Sequence, residues 1–283
     1  MRPLVIIFLC CCAFYAFFSL IPQTQAGSMQ VAWRFSKTPH LCLAILPYRS
    51  DEELQREFSP LAAYLSHHLG IPVQINIALN YASLVQLLDL KVAHLAWYSS
   101  TLFEQTASNS ACEVLCRPIQ NGSIRHRGAI IVKADSPLNS IQDLRGKRFA
   151  YVDKISGTGF LKPAQFFRQQ GIDPVAFFGE IFFTGNHSRS LQSVLNGEAD
   201  AAAIFVDQSS SYNEASGSLP VGVKALAWTD WSLTDPIVVR RDLPAPMKQK
   251  LKELFLLMEK LDKGPETLAE MKKSRGFERF VAE

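Results

Sequence analysis

Four times in this chain a short apolar run ends in small polar residues that open a segment of helical period. The junctions are Asn80-Tyr81, Tyr98-Ser99-Ser100, Ser156-Gly157-Thr158 and Asn186-His187-Ser188. Between them, strand-like and helix-like stretches alternate. "LCLAILPY" (41–48) precedes "DEELQREFSPLAAYLSHHLG" (51–70), whose Leu54, Phe58, Leu61, Leu65 and Leu69 fall at helical spacing and which Gly70 and Pro72 stop. "PVQINIAL" (72–79), "VAHLAWY" (92–98), "GAIIVKADS" (128–136), "GEIFFTGN" (179–186), "AAAIFVD" (201–207) and "DPIVVRRDLP" (235–244) read as strands. "YASLVQLLDL" (81–90), "HSRSLQSVLNGEAD" (187–200) and "APMKQKLKELFLLMEKLD" (245–262) read as helices. This alternation predicts α/β layers with mainly parallel sheets. In open sheets of that kind, ligands sit outside the carboxyl ends of strands.

The junctions carry chemistry as well as geometry. A helix N-terminus has unpaired N–H groups and partial positive charge, so it suits an anion. Ser156 and Thr158 add hydroxyls, and Gly157 permits close backbone approach. His187 can donate a proton to an anion or cap its helix, and Tyr98 can donate its phenol or pack in the core. Taken singly, each junction also reads as an ordinary N-cap.

Composition removes other classes. A net charge of +3 over 283 residues, with no basic block, argues against a nucleic-acid partner. Arg125-His126-Arg127 reads as solvated surface. No metal-ligand spacing occurs, and no cofactor is expected. Arg2, an uncharged apolar stretch from Leu4 to Ile21, and small residues up to Ala26 describe an export signal over 1–26, with a retained anchor as the alternative. Beyond it, Cys42, Cys112 and Cys116 are odd in number. The last two either bridge or stay as buried thiols. Trp228 and Trp231 either line a cleft or pack, and Asp207 either binds an amino group or caps a turn.

Five segments in order resemble the phosphonate-binding family of periplasmic solute-binding proteins of ABC importers. They are "PLAAYLSHHLGIPV", "NYASLVQLL" against the family's "dYa", "VAHLAWYSS" against "vDlawyGp", "DLRGKRFAYVDKISGTG" against "dLkGKrfafvdpsStSG", and "GNHSRSLQSVLNGEADA" against "GsHdaal.aVlnGevDa". The resemblance spans about Leu41 to Leu261. It implies a type II periplasmic-binding fold: an α/β chain with mixed sheets flanked by helices and a ligand cleft between two lobes, 38–132 with 232–283 and 138–228. It implies ligand contacts at Tyr81, Tyr98, Ser99, Ser156, Gly157, Thr158 and His187. The partners implied are a small anionic ligand, a phosphonate, phosphite or phosphate, and an ABC permease in the inner membrane. The location implied is the periplasm. A ligand sensor feeding a signalling partner is the alternative. An enzyme built on Ser156 and His187 is not expected, because Ser156 is not in a G-x-S-x-G elbow and no third group orients His187.

The chain departs from the family pattern at four places. One hydroxyl is lost at Gly157, His94 replaces the acid of "vDla", Ser99 replaces the glycine after the tyrosine, and Ser188 replaces the acid after "GNH". Of the carboxylates, Asp153, Asp207 and Asp230 remain as candidates near the cleft. This predicts a site that accepts several small oxyanions, with affinity falling as pH rises through the titration of His187.

Overall fold

The structure is a computed structural model that describes residues 40–106, 111–206 and 219–282. The proposed export signal (1–26) and Asp207 lie outside the described residues. In chain order the first elements are β1 (Leu41–Ile45), α1 (Asp51–Leu69), β2 (Val73–Ile77), α2 (Tyr81–Asp89), β3 (Leu95–Trp97) and α3 (Ser100–Thr106). Then come β4 (Cys112–Gln120), β5 (Arg125–Lys133), β6 (Arg148–Tyr151), a π-helical turn (Gly157–Leu161), α4 (Lys162–Gln169), α5 (Pro174–Phe177), β7 (Glu180–Phe183), α6 (His187–Leu195) and β8 (Ala201–Val206). β9 (Val223–Trp228), β10 (Ser232–Leu233), β11 (Ile237–Arg240), α7 (Ala245–Leu256), α8 (Gly264–Arg275) and β12 (Phe277–Val281) complete the described chain.

Local chemistry sets the helix ends. Ser50 and Glu53 form a capping box at α1, and Gly70 closes it at φ 67°. Asn80 and Ser83 form the equivalent box at α2. Asn186 caps α6 by accepting from the Arg189 N–H at 2.9 Å.

Two sheets result. The first runs β12-β4-β11-β3-β1-β2 and the second β10-β5-β8-β6-β7, with β9 also paired to β5. β2, β1 and β3 are parallel, as are β7, β6 and β8, while the remaining pairs are antiparallel. The sheets are therefore mixed, which corrects the mainly parallel arrangement expected from the alternation. The parallel halves come from βαβ units. The antiparallel halves come largely from β4, β5, β9, β11 and β12, of which the sequence pattern missed β4, β9 and β12.

β1 is buried along its whole length, as a central parallel strand must be. On the first sheet Trp97 stacks edge-on to Phe58 and Phe277, with centroids 5.2 and 5.1 Å away. Separate apolar clusters cover the two faces of the second sheet, around Phe149, Tyr151 and Phe167 on one side and Ala150, Val194 and Ala202 on the other.

The chain passes between sheets at 121–124 and again at 234–236. Asn121 and Gly122 turn with φ of 47° and 79°. Thr234 ties the passages together, donating its N–H to the Ile124 carbonyl at 2.8 Å and its hydroxyl to the Pro118 carbonyl at 2.8 Å. β5 pairs with β8 from Arg127 to Ile131 and β10 pairs with β5, so both belong to the second sheet. The lobe limits expected from sequence, 38–132 with 232–283 and 138–228, fall at the end of β5 and the start of β10.

Cys112 and Cys116 do not bridge each other. Both sit on β4 four residues apart, which is about 13 Å in a strand and beyond disulfide reach. Among the described residues no helix is long and apolar enough to cross a membrane, and no cluster suits a metal ion.

Candidate functional site

All four junctions converge on one cavity between elements of the two sheets. It is lined by Leu46, Tyr48, Tyr81, Ser99, Ser100, Thr101, His126, Ser156, Gly157, Thr158, His187, Phe205 and Asp235. The cavity is small. About 20 Å³ is open to the centres of water-sized molecules, little more than the roughly 10–15 Å³ needed to hold one water. Such a volume leaves no room for a peptide or a sugar.

The second-sheet wall is the loop after β6. Ser156 accepts from the Gly159 N–H at 3.2 Å, and its carbonyl takes the N–H groups of both Phe160 and Leu161 at 3.1 and 2.9 Å. This winds the π-helical turn and leaves the N–H groups of Gly157 and Thr158 at its open end, with no acceptor among the described residues. Ser156 and Thr158 are buried, and both residues line the cavity. Gly157 is required by a close approach. A Cβ there would lie 2.8 Å from the Cβ of Thr101 and nearer still to its hydroxyl.

The first-sheet wall looks similar in sequence and differs in bonding. At the start of α3, the Ser100 N–H donates to Asp235 Oδ1 at 3.2 Å and the Leu102 N–H to Ser99 Oγ at 3.4 Å. Ser100 Oγ donates to the Thr234 carbonyl at 2.8 Å and accepts from the buried Arg117. Tyr48 donates its hydroxyl to the buried Glu57 carboxylate.

His187 joins the walls. Its N–H donates to the Tyr48 carbonyl at 2.9 Å, and its Nδ1 accepts from the Phe205 N–H at 3.0 Å. An Nδ1 acceptor places the proton of the neutral ring on Nε2. A neutral His187 is therefore already a donor. An imidazolium would set a second N–H against that of Phe205, which corrects the expectation that anion binding draws on a charged His187. A further tie is the Ser188 hydroxyl, which donates to Glu53 Oε2 at 2.9 Å. Burial raises the Glu53 carboxyl, but bonds from Ser50 and Ser188 and the charge of Arg49 outweigh it and hold the group below its ordinary value.

Six of the seven nominated residues, Tyr81, Ser99, Ser156, Gly157, Thr158 and His187, line the cavity, and Tyr98 does not. It is buried near the Thr106 hydroxyl, and burial pushes its phenol up to about 12. Sequence reasoning missed Tyr48, Thr101, His126, Phe205 and Asp235. His126 is buried and lines the cavity, which corrects the surface reading of Arg125-His126-Arg127. Arg127 packs over Trp228 and Trp231, at 4.1 and 4.7 Å from their ring centres, and neither tryptophan lines the cavity. Asp235 corrects the tally of carboxylates, since Asp153 and Asp230 are absent from the lining. His94 has a structural role: its Nδ1 accepts from the Cys42 N–H at 3.0 Å. Burial, then the charges of Arg240 and His40, lower its pKa from the usual imidazole value.

Comparison with known proteins gives the family and the fold. The family described as "ABC transporter, phosphonate, periplasmic substrate-binding protein" matches residues 43–283. The "Phosphonates-binding periplasmic protein" of Escherichia coli is 25% identical over 225 residues, covering 76% of this chain and 65% of that protein, just under two thirds of its length. The "Phosphate-import protein PhnD" of Mycolicibacterium smegmatis is 23% identical over 226 residues, 76% of this chain and 70% of that one. Among solved structures, a binding-protein component of an ABC phosphonate transporter from Pseudomonas aeruginosa superposes with TM-score 0.76 at 21% identity, over 87% of this chain and 82% of that chain. PhnD1 of Prochlorococcus marinus in complex with methylphosphonate gives 0.71 at 20%, over 86% and 92%. The fold is that of the type II periplasmic binding proteins, and the chain belongs to the phosphonate periplasmic substrate-binding protein family of ABC transporters.

Proposed function

We propose that this chain is the exported binding component of an ABC importer. It captures a small phosphorus oxyanion, a phosphonate, phosphite or phosphate, between two closing lobes and delivers it to a permease in the inner membrane. One observation carries the reading. Ser156, Gly157, Thr158 and His187, with the N–H groups of Gly157 and Thr158 without an acceptor among the described residues and His187 Nδ1 already an acceptor, line one small cavity. Charge-assisted bonds from such donors to an anion are roughly twice as strong as neutral ones. The methylphosphonate complex of a family member with the same fold supports the ligand class. The apolar N-terminal stretch supports export, with residues 1–26 as the leader. A binding role is also supported by the bonds at Ser156 and His187, whose Oγ and Nδ1 accept from the main-chain N–H groups of Gly159 and Phe205.

Calorimetry against phosphate, phosphite, methylphosphonate, 2-aminoethylphosphonate and sulfate tests the proposal. One-to-one binding of at least one phosphorus oxyanion, with a rise in melting temperature, is the expected result. Failure of every phosphorus compound at millimolar concentration would refute it.

A further inference from the structure

A second band of contacts joins the two sheets outside the cavity. Its first-sheet half is the segment from Tyr48 to Glu53, between β1 and the first turn of α1. Its second-sheet half is the start of α6 with the end of β8. The His187 N–H reaches the Tyr48 carbonyl at 2.9 Å, and the Ser188 hydroxyl reaches Glu53 Oε2 at 2.9 Å. Phe205 of β8 meets the Tyr48 ring edge-on, with centroids 6.0 Å apart. Arg49 covers that pair. Its guanidinium carbon lies 6.0 Å from the Tyr48 ring centre and 5.7 Å from that of Phe205, within reach of a cation–π contact. Arg49, Glu53 and Ser188 are not part of the cavity lining.

The first-sheet half of this band is held by bonds within its own side. Glu53 Oε2 accepts from the Ser50 N–H at 3.0 Å and the Ser50 hydroxyl at 2.7 Å, as part of the α1 capping box. Arg49 Nη1 lies 3.8 Å from Oε2 of the buried Glu57, which also takes the Tyr48 hydroxyl. None of these bonds involves the second sheet, so the guanidinium and the carboxylate keep their places when the halves part. Little ordering is then needed for them to meet Phe205 and Ser188. Ser188 is available for this contact because Asn186 caps α6. Resting on the reading of two lobes that close on a phosphorus oxyanion, we propose that Arg49 and the Ser188–Glu53 bond form a latch that sets affinity without touching the ligand. A contact made only when the lobes close raises the share of the closed form, and apparent affinity scales with that share. Every ligand gains by the same factor. A residue of the cavity lining would instead change the ratios between ligands.

Two variants separate these cases. Arg49→Lys keeps a positive charge beside Glu57 and loses the planar group over Tyr48 and Phe205. Ser188→Ala removes the donor to Glu53 and leaves the α6 cap in place. Phosphate, phosphite and methylphosphonate are the probes, with calorimetry for affinity and stopped-flow fluorescence for rates. Each variant should weaken binding of all three by a common factor of about three to ten. Faster dissociation should account for the loss, with the association rate little changed, because the latch forms after encounter. The rate measurement decides even where one of the three ligands alone binds. Unchanged affinity in both variants, altered ratios among the ligands, or a loss carried by the association rate would each overturn the latch. Failure of all three to bind the unaltered protein would overturn the oxyanion reading and the latch with it, and is a distinguishable result.

Discussion

The two walls of the cavity begin from the same local device and end with different bonding. Each is a strand end that runs into a helix start through small hydroxyl residues. At Ser99-Ser100 two of the first N–H groups, those of Ser100 and Leu102, are taken by Asp235 and by Ser99, while the Thr101 N–H has no acceptor among the described residues. At Ser156-Gly157-Thr158 the π-helical turn places two N–H groups at the cavity with no acceptor among the described residues. A helix-start N–H that is bonded within the protein belongs to the frame, and one left open is available to a ligand. The motif alone does not separate the two, because the difference lies in whether a distant residue such as Asp235 arrives to saturate the helix end.

The strongest way to break this contrast is Gly157→Ala. The new Cβ would collide with Thr101 across the cavity, so the walls could not come together. Overpacking of this kind costs about 1–3 kcal/mol, up to about a hundredfold in affinity. Calorimetry should show that loss with little change in the melting temperature of the unliganded protein. Adding Thr101→Gly should restore much of the binding, because the two changes meet at one contact.

A smaller effect separates the walls residue by residue. Thr158→Ala removes a charge-assisted bond and should weaken oxyanion binding about tenfold or more. Ser99→Ala removes a cap, so it should lower stability by about 1 kcal/mol while affinity changes by only a few-fold. A larger loss of affinity at Ser99 than at Thr158 would reverse the assignment of frame and receptor.

The least effect is expected from acid. The Glu53 carboxyl lies below its ordinary value, so its contribution is present above that value and is lost as pH falls through the depressed one. The Ser188–Glu53 tie between the halves should therefore weaken as pH falls below the ordinary carboxylate range. Ser188→Ala should remove that acid sensitivity from ligand-induced compaction measured by scattering. Retention of the full acid response in Ser188→Ala would exclude the tie as its source.

The parallel halves of both sheets were legible because β1, β2, β3, β6, β7 and β8 each feed a helix or a turn through a recognisable junction. β4 was not, because Glu113, Arg117 and Pro118 interrupt its apolar pattern. Arg117 is nevertheless buried, its guanidinium donating to Ser100 Oγ and the Thr234 carbonyl. The junction residues of the site were legible for the same reason as the helices, since capping is written in neighbouring positions. His126 and Asp235 were not. His126 comes to the cavity through the pairing of β5 with Ser232 of β10, and Asp235 through the return of the chain to β11. Neither placement has a local signature. Tyr98 was misplaced because an aromatic residue at a strand end serves packing as readily as binding, and here it lies beside Thr106.

The central claim is that the open N–H groups of Gly157 and Thr158 receive the anion while those of Ser100 and Leu102 remain bonded within the protein. Amide proton shifts followed by NMR during a methylphosphonate titration read this directly. Saturating ligand should move the Gly157 and Thr158 amides strongly downfield, as new charge-assisted bonds form, and leave Ser100 and Leu102 with much smaller shifts. Saturable binding with unmoved Gly157 and Thr158 amides, or with Ser100 and Leu102 moving more, would contradict the account.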